Sequence, residues 1–289
     1  MDSTYFFPST RVLLPTLLAD FSIQLAGWSL AALMQTEKFY DLAGSASFLM
    51  CTYFSLFNPW AEDTTSLGRS FHPRQILASG TTVVWACYLG FFLCKRAIRH
   101  GDRRFDKVKK MPGKFLGYWI IQGVWVALTA LPVCLTNSIP AEDHPAIGAQ
   151  DILGLVVWGM GFAFEVVANY QKQRWRKDIG KNYKQSFISH GLWSLSRHPN
   201  YFGECVLWFG SYLLSSSAFS VAVEDQILPH WMSRLALFSP IFVTCLITRV
   251  SGIPLLEREN DRRLKDVVAY WKYKKETSMF VPIWPRSVE

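Results

Sequence analysis

From Ser196 to Glu204 the chain reads SRHPNYFGE, and the apolar CVLWFGSYLL follows at once. A cation, an imidazole, an amide, a phenol and a carboxylate therefore stand together at the mouth of a hydrophobic segment. Pro199 suits the first position of a helix, where its missing N–H is no loss, so a helix is expected to start at His198 or Pro199. The positive dipole end and open N–H groups of such a start favour an anion such as a nucleotide phosphate. Arg197 and His198 add to that charge, while Asn200, Tyr201 and Glu204 point down the apolar segment. Asn200 and Glu204 are four apart and share a helix face. Glu165 and Asn169, in VVWGMGFAFEVVANYQKQRWR, repeat the spacing about one turn from another basic end. The two pairs are expected to meet in one polar pocket. Interhelical hydrogen bonding is the competing use of such residues in a membrane.

Other ionisable or polar groups sit inside apolar stretches, where each is costly unless paired or hydrated. Arg249, in FVTCLITRVSGIPLLE, lies too deep to reach the interface easily and calls for an anion: Glu204, Glu165 or a ligand phosphate. Gly252 and Pro254 should bend the helix just beyond it. Gln122 and Tyr88 lie at comparable depths and, taken alone, read as packing. Asp20 and Gln24 form a third pair at helical spacing, open to a substrate or a neighbouring helix.

These residues must be positioned by membrane helices. Of 289 residues, 50% are apolar, 15% aromatic and only 18% charged, a composition that excludes an ordinary soluble domain. Apolar runs long enough to cross about 30 Å of hydrocarbon fall near 12–34, 42–57, 75–94, 115–136, 151–171, 201–221 and 235–256, which predicts an all-α polytopic protein of seven spans. The net charge of +8 is unevenly distributed. Segments 95–114 and 171–184 and the tail from Glu257 carry most of the Lys and Arg, whereas 137–150 and 221–230 carry none. By the positive-inside rule the N-terminus is then outside and the C-terminus inside, with Arg11 a minor violation. This pattern speaks for orientation and against nucleic-acid binding. The six cysteines lie singly in apolar stretches, implying neither a disulfide framework nor a metal site. MDSTYFFPSTR lacks the basic lead and cleavage site of a signal peptide, so the first run is expected to remain as a span. No repeat or linker divides the chain, which reads as one domain over 1–289.

The run GLWSLSRHPNYFGECVLWFG, with SGIPLLERE, Tyr270 to Tyr273 and ETSMFVPIWP, resembles the uncharacterised branch of the membrane steroid 5-alpha-reductase superfamily. Its relatives include sterol C14 and C24 reductases, with a similar RHxNYxGD run, and isoprenylcysteine carboxyl methyltransferases, with RHPxYxG. The resemblance is strongest over 151–285 and weaker at DLAGS (41–45), GDRRFD (101–106) and Ile121 to Gly123. It implies a seven-helix protein taking NADPH from the cytosolic side. The cofactor contacts it implies are Glu165, Asn169, Arg176, Arg197, His198, Asn200, Glu204, Arg249 and Tyr273. Tyr88 matches a tyrosine that hydrogen-bonds the substrate carbonyl, and Tyr201 and Glu204 complete the implied catalytic set. Two departures stand out. Relatives carry ADxQK where this chain has ANYQK, and the second span offers no clear counterpart of their substrate-polarising glutamate.

The reading that follows is an NADPH-dependent reductase of an activated carbon–carbon double bond in a lipid or sterol-like substrate. The nicotinamide would pass hydride while a phenol or carboxyl group polarises the conjugated carbonyl. The alternatives are a non-enzymatic subunit or lipid-binding element of a larger membrane assembly, and an S-adenosylmethionine-dependent methyltransferase. By analogy the membrane is that of the endoplasmic reticulum, with mitochondrial and plastid membranes as alternatives.

Overall fold

The computed structural model describes residues 8–57, 70–100, 105–180 and 185–285, and no strand occurs among them. Residues 101–104 and 181–184 of the two basic segments lie outside the described residues, as do the side chains of 94–100. The long helices are α1 (Pro8–Leu33), α2 (Tyr40–Phe57), α3 (Pro73–His100), α4 (Pro112–Ser138) and α5 (Ala149–Ile179). A single turn, α6 (Leu192–Leu195), precedes α7 (Pro199–Ser216), and α8 (Phe219–Glu224) follows it. Then come α9 (His230–Ala236), α10 (Phe238–Cys245), a π-helical turn over Leu246–Val250, α11 (Ile253–Arg263) and α12 (Val268–Glu276). The expected start of α7 at Pro199 is observed, and α3 and α4 likewise open on a proline.

Among the described residues, five helical runs are long and apolar enough to cross a membrane: Ser9–Leu33, Pro73–Leu93, Pro112–Ser138, Ala149–Ile179 and His230–Arg263. The other two expected spans correspond to α2 and α7, of 18 residues each. At 1.5 Å per residue they reach roughly 27 Å. Asp41, Ser45 and Ser47 in α2, and Asn200 and Glu204 in α7, lower their hydropathy below that of the five. The spanning runs expose Leu14, Leu18, Ile121, Ile152 and Leu153, faces suited to membrane lipid.

The chain divides into two compact units, Met1–Leu155 with Ser211–Ser239, and Val156–Gly210 with Pro240–Glu289. In the first unit α1 to α4 pack together. At one end Phe105, Phe115, Trp119 and Ala31 make a buried aromatic cluster. A second cluster joins Leu135 and Ile139 to Phe219, Leu228 and Met232. An ion pair fixes the helix starts: Arg74, 1% exposed, donates from Nε to Asp151 Oδ1 at 2.6 Å and from Nη2 to Asp151 Oδ2 at 3.0 Å. Arg74 Nη1 also meets His144 Nδ1 at 3.1 Å, and the His144 ring stacks on His72. The second unit is built on the later part of α5, most of α7, and most of α10 with α11 and α12. It contains all of the expected site residues except Tyr88.

Candidate cofactor site on α5 and α7

Two glycines set the geometry. A Cβ built at Gly161 would lie 2.4 Å from the Leu207 nitrogen, and one at Gly203 would lie 2.6 Å from the Glu165 nitrogen and 2.7 Å from the Gly161 oxygen. Backbone meets backbone at this crossing, the close approach that small residues permit between membrane helices. Glu165 therefore lies directly against Gly203, and Glu204 is the next residue along α7. Cys205 is within electrostatic reach of both carboxylates. Glu165 and Asn169 are buried, at 3% and 4% exposure, and Asn169 Nδ2 donates to Glu165 Oε1 at 3.5 Å. Lys172 and Arg176 continue the same face of α5 at spacings of seven and eleven from Glu165, close to whole numbers of turns.

The turn leading into α7 is held from both sides. On α5, Gln171 Oε1 accepts the Leu192 N–H at 2.9 Å, and Trp193 Nε1 donates to the Ala168 carbonyl at 3.0 Å. Gly191 is required there: its φ is +61°, and a Cβ would meet the Gln171 amide at 2.6 Å. On the other side the C-terminal tail crosses the turn. The Arg197 N–H donates to the Ser278 carbonyl at 2.8 Å, Ser196 Oγ donates to the Phe280 carbonyl at 2.8 Å, and the Ile283 N–H donates to the Leu195 carbonyl at 3.1 Å.

Three expected roles change. The Arg197 guanidinium, expected at a phosphate, is engaged within the protein. It pairs with both carboxylate oxygens of Glu257, at 3.2 and 3.0 Å, and donates to the carbonyls of Lys274 and Thr277 at 2.7 and 3.0 Å. Glu257 also meets His198 Nε2 at 2.8 Å and Lys274 Nζ at 3.0 Å. The positive charge expected at the start of α7 is thus neutralised by a carboxylate 60 residues away. The Tyr273 hydroxyl donates to the Trp193 carbonyl at 2.6 Å and braces the turn. Arg249, expected to be a buried cation meeting Glu165, Glu204 or a ligand phosphate, is exposed and makes no ion pair among the described residues. The reason is the π turn: Ser251 N–H donates to the Leu246 carbonyl at 2.9 Å, and Gly252 packs on the Ile247 carbonyl, so the bend expected at Gly252 begins before Arg249.

Arg176 is exposed at the last turn of α5. Tyr201, half-buried, stacks on His198 with ring centroids 6.0 Å apart. Tyr88 belongs to the first unit, where it stacks on Phe92. Gln122 is structural, donating to the Tyr40 carbonyl at 3.1 Å against Gly44. Gln24 Nε2 donates to Asp20 Oδ1 at 3.3 Å and to Ser47 Oγ at 2.9 Å, which makes that pair an interhelical contact within the first unit.

Carboxylate and amide groups line α5 and α7 near their crossing, cations extend along α5, and the Oδ1 of Asn200 is buried without a hydrogen-bond partner. No group of residues suited to a metal ion occurs among the described residues.

No curated protein and no solved structure matches the chain. The profile of the family described as "Protein of unknown function (DUF1295)" matches residues 27–277. The chain belongs to this family, a steroid 5-alpha-reductase-like group of membrane proteins.

Proposed function

We propose that the protein is an NADPH-dependent reductase of an activated carbon–carbon double bond in a lipid or sterol-like substrate. The observation that carries the reading is the glycine crossing of α5 and α7. It seats the buried Glu165–Asn169 pair against Gly203, beside Glu204 and the unpartnered Asn200 carbonyl oxygen. Glu165, Asn169, Asn200 and Glu204 would hold the cofactor through its hydroxyl and amide groups. Lys172, Arg176 and the exposed Arg249 would meet its phosphates. When bound, the cofactor supplies hydride. The residues orient it and present Glu204 and Tyr201 as polarising or proton-holding groups.

The proposed orientation is N-outside and C-inside, with the basic segments at the cytosolic face of the endoplasmic reticulum membrane. A polyanionic cofactor would then arrive from water and an apolar acceptor from lipid. The reading is tested by incubating the purified protein with NADPH deuterated at the transferable position and a neutral-lipid extract. It expects one deuterium in a product lipid, dependent on Glu204. A lipid fraction unchanged in mass, with no NADPH consumed, would count against it.

A further inference from the structure

The segment beyond the last spanning run has a pinned inner face and an apolar outer one. In α12, Tyr270 is buried, the Tyr273 hydroxyl donates to the Trp193 carbonyl at 2.6 Å, and the Lys274 carbonyl accepts from Arg197 Nη1 at 2.7 Å. Val268, Trp271, Lys272 and Lys275, spaced i, i+3, i+4 and i+7, form the opposite, exposed face. The tail after α12 continues the pattern. Its Ser278 and Phe280 carbonyls accept from the Arg197 N–H and Ser196 Oγ, its Ile283 N–H donates to the Leu195 carbonyl, and the Phe280 ring packs edge-on against Phe202. Exposure alternates along it: Ser278, Phe280 and Pro282 are partly covered, whereas Met279, Val281 and Ile283 are open, and Trp284 is 84% exposed. The inner faces of α12 and the tail thus dock on one turn, Trp193–Arg197, and both present apolar side chains away from it.

An open apolar face of this kind marks a protein or a membrane surface, and two observations select the membrane. The first is position. The spanning run His230–Arg263 ends five residues before Val268, and the turn on which both segments dock leads straight into the apolar α7, so the face is held where the bilayer begins. The second is charge. The exposed charged side chains from Arg258 to Lys275 are Arg258, Arg262, Lys265, Lys272 and Lys275 against Glu259 and Asp266, an excess of cations that complements acidic headgroups. Tryptophan favours the membrane interface, and Lys272 and Lys275 can lay their stems along apolar surface while their charges stay among headgroups. We infer that α12 and the tail form an interfacial anchor, seated on anionic lipid through Val268, Trp271, Met279, Val281, Ile283 and Trp284, that holds the turn before α7 at headgroup depth. The inference is independent of the NADPH reading.

The experiment reconstitutes the full-length protein in vesicles of phosphatidylcholine alone or mixed with phosphatidylserine, with the photoreactive residue p-benzoylphenylalanine in place of Trp284 or, in a second protein, of Val281. Both positions are exposed, and thermal unfolding verifies the fold of each protein. After irradiation, mass spectrometry of the peptide that carries the probe identifies what it has joined. The anchor predicts lipid adducts at both positions, with a yield about threefold higher in the phosphatidylserine vesicles and reduced by salt. Replacing Lys272→Gln and Lys275→Gln together should leave the adducts in place and remove most of the phosphatidylserine dependence. Adducts to a second copy of the chain would make this face a subunit interface and overturn the inference. Absence of any lipid adduct at both positions overturns it as well, since the tail would then lie in water. Equal yields in the two kinds of vesicle overturn the assignment of anionic lipid.

Discussion

A methyl group added at Gly161 tests whether the α5–α7 crossing builds the site. On the observed backbone that carbon would lie 2.4 Å from the Leu207 nitrogen and 2.8 Å from the Gly203 oxygen, where ordinary contact is 3.4–4 Å. Both neighbours are backbone atoms, so no side-chain rotamer relieves the overlap and the helices must part by about 1 Å. Overpacking of this kind costs roughly 1–3 kcal/mol, offset by up to about 1 kcal/mol from replacing glycine by alanine within a helix. Contacts below 3 Å to backbone atoms place the overpacking in the upper part of that range, about 2–3 kcal/mol, so the net loss is about 1–2 kcal/mol after the full offset, a Tm lower by about 2–8 °C for a chain of this size. Gly159, two residues earlier on α5, has nothing within 4 Å of its Cβ. Gly159→Ala should melt at or slightly above wild type. Thermal unfolding in detergent, followed with a thiol-reactive dye, compares the two variants, and NADPH titration should show weaker binding in Gly161→Ala alone. Equal melting temperatures would refute the argument.

Arg197→Ala should destabilise by about 1–3 kcal/mol, because Glu257 keeps His198 and Lys274 but loses the guanidinium fork, and the Lys274 and Thr277 carbonyls lose their donor; Arg197→Lys, which keeps charge without the fork, should recover only part of the loss in the same melting assay. Tyr273→Phe removes one bond to the Trp193 carbonyl and should cost about 1 kcal/mol with NADPH affinity unchanged, which equilibrium titration can verify. His144, outside the spans, is lowered to about 4 by burial first, then by His72 and Arg74. The folded state thus favours the neutral ring: its stability contribution is complete above pH 6.5, is lost as pH falls toward about 4, and levels off below. Melting curves across that window should show the slope in wild type and a shallower one in His144→Gln.

The start of α7 was legible because Pro199 is a local signal, and both i, i+4 pairs were legible because helical spacing alone puts them on one face. The partner of Arg197 was not. Glu257 stands 60 residues away, and in LLERENDRR it reads as one charge in a solvated tail. Arg249 reads as buried along a straight helix, and the π turn over Leu246–Val250 departs from that helix. Gly161 and Gly203 lie on different helices, so their pairing acquires meaning only once the crossing exists. The spans of α2 and α7 were read from apolar runs whose ends hold the polar residues that matter. Sequence hydropathy and site chemistry compete for the same positions there.

The most direct measurement of the central claim is an equilibrium titration of the purified protein with NADPH and with S-adenosylmethionine, repeated for Glu165→Gln and Glu204→Gln. Saturable NADPH binding, weakened in both variants and diminished by salt through screening at the basic end of α5, with no response to S-adenosylmethionine, is the predicted result. NADPH binding indifferent to both carboxylates, or S-adenosylmethionine binding without NADPH binding, would contradict it.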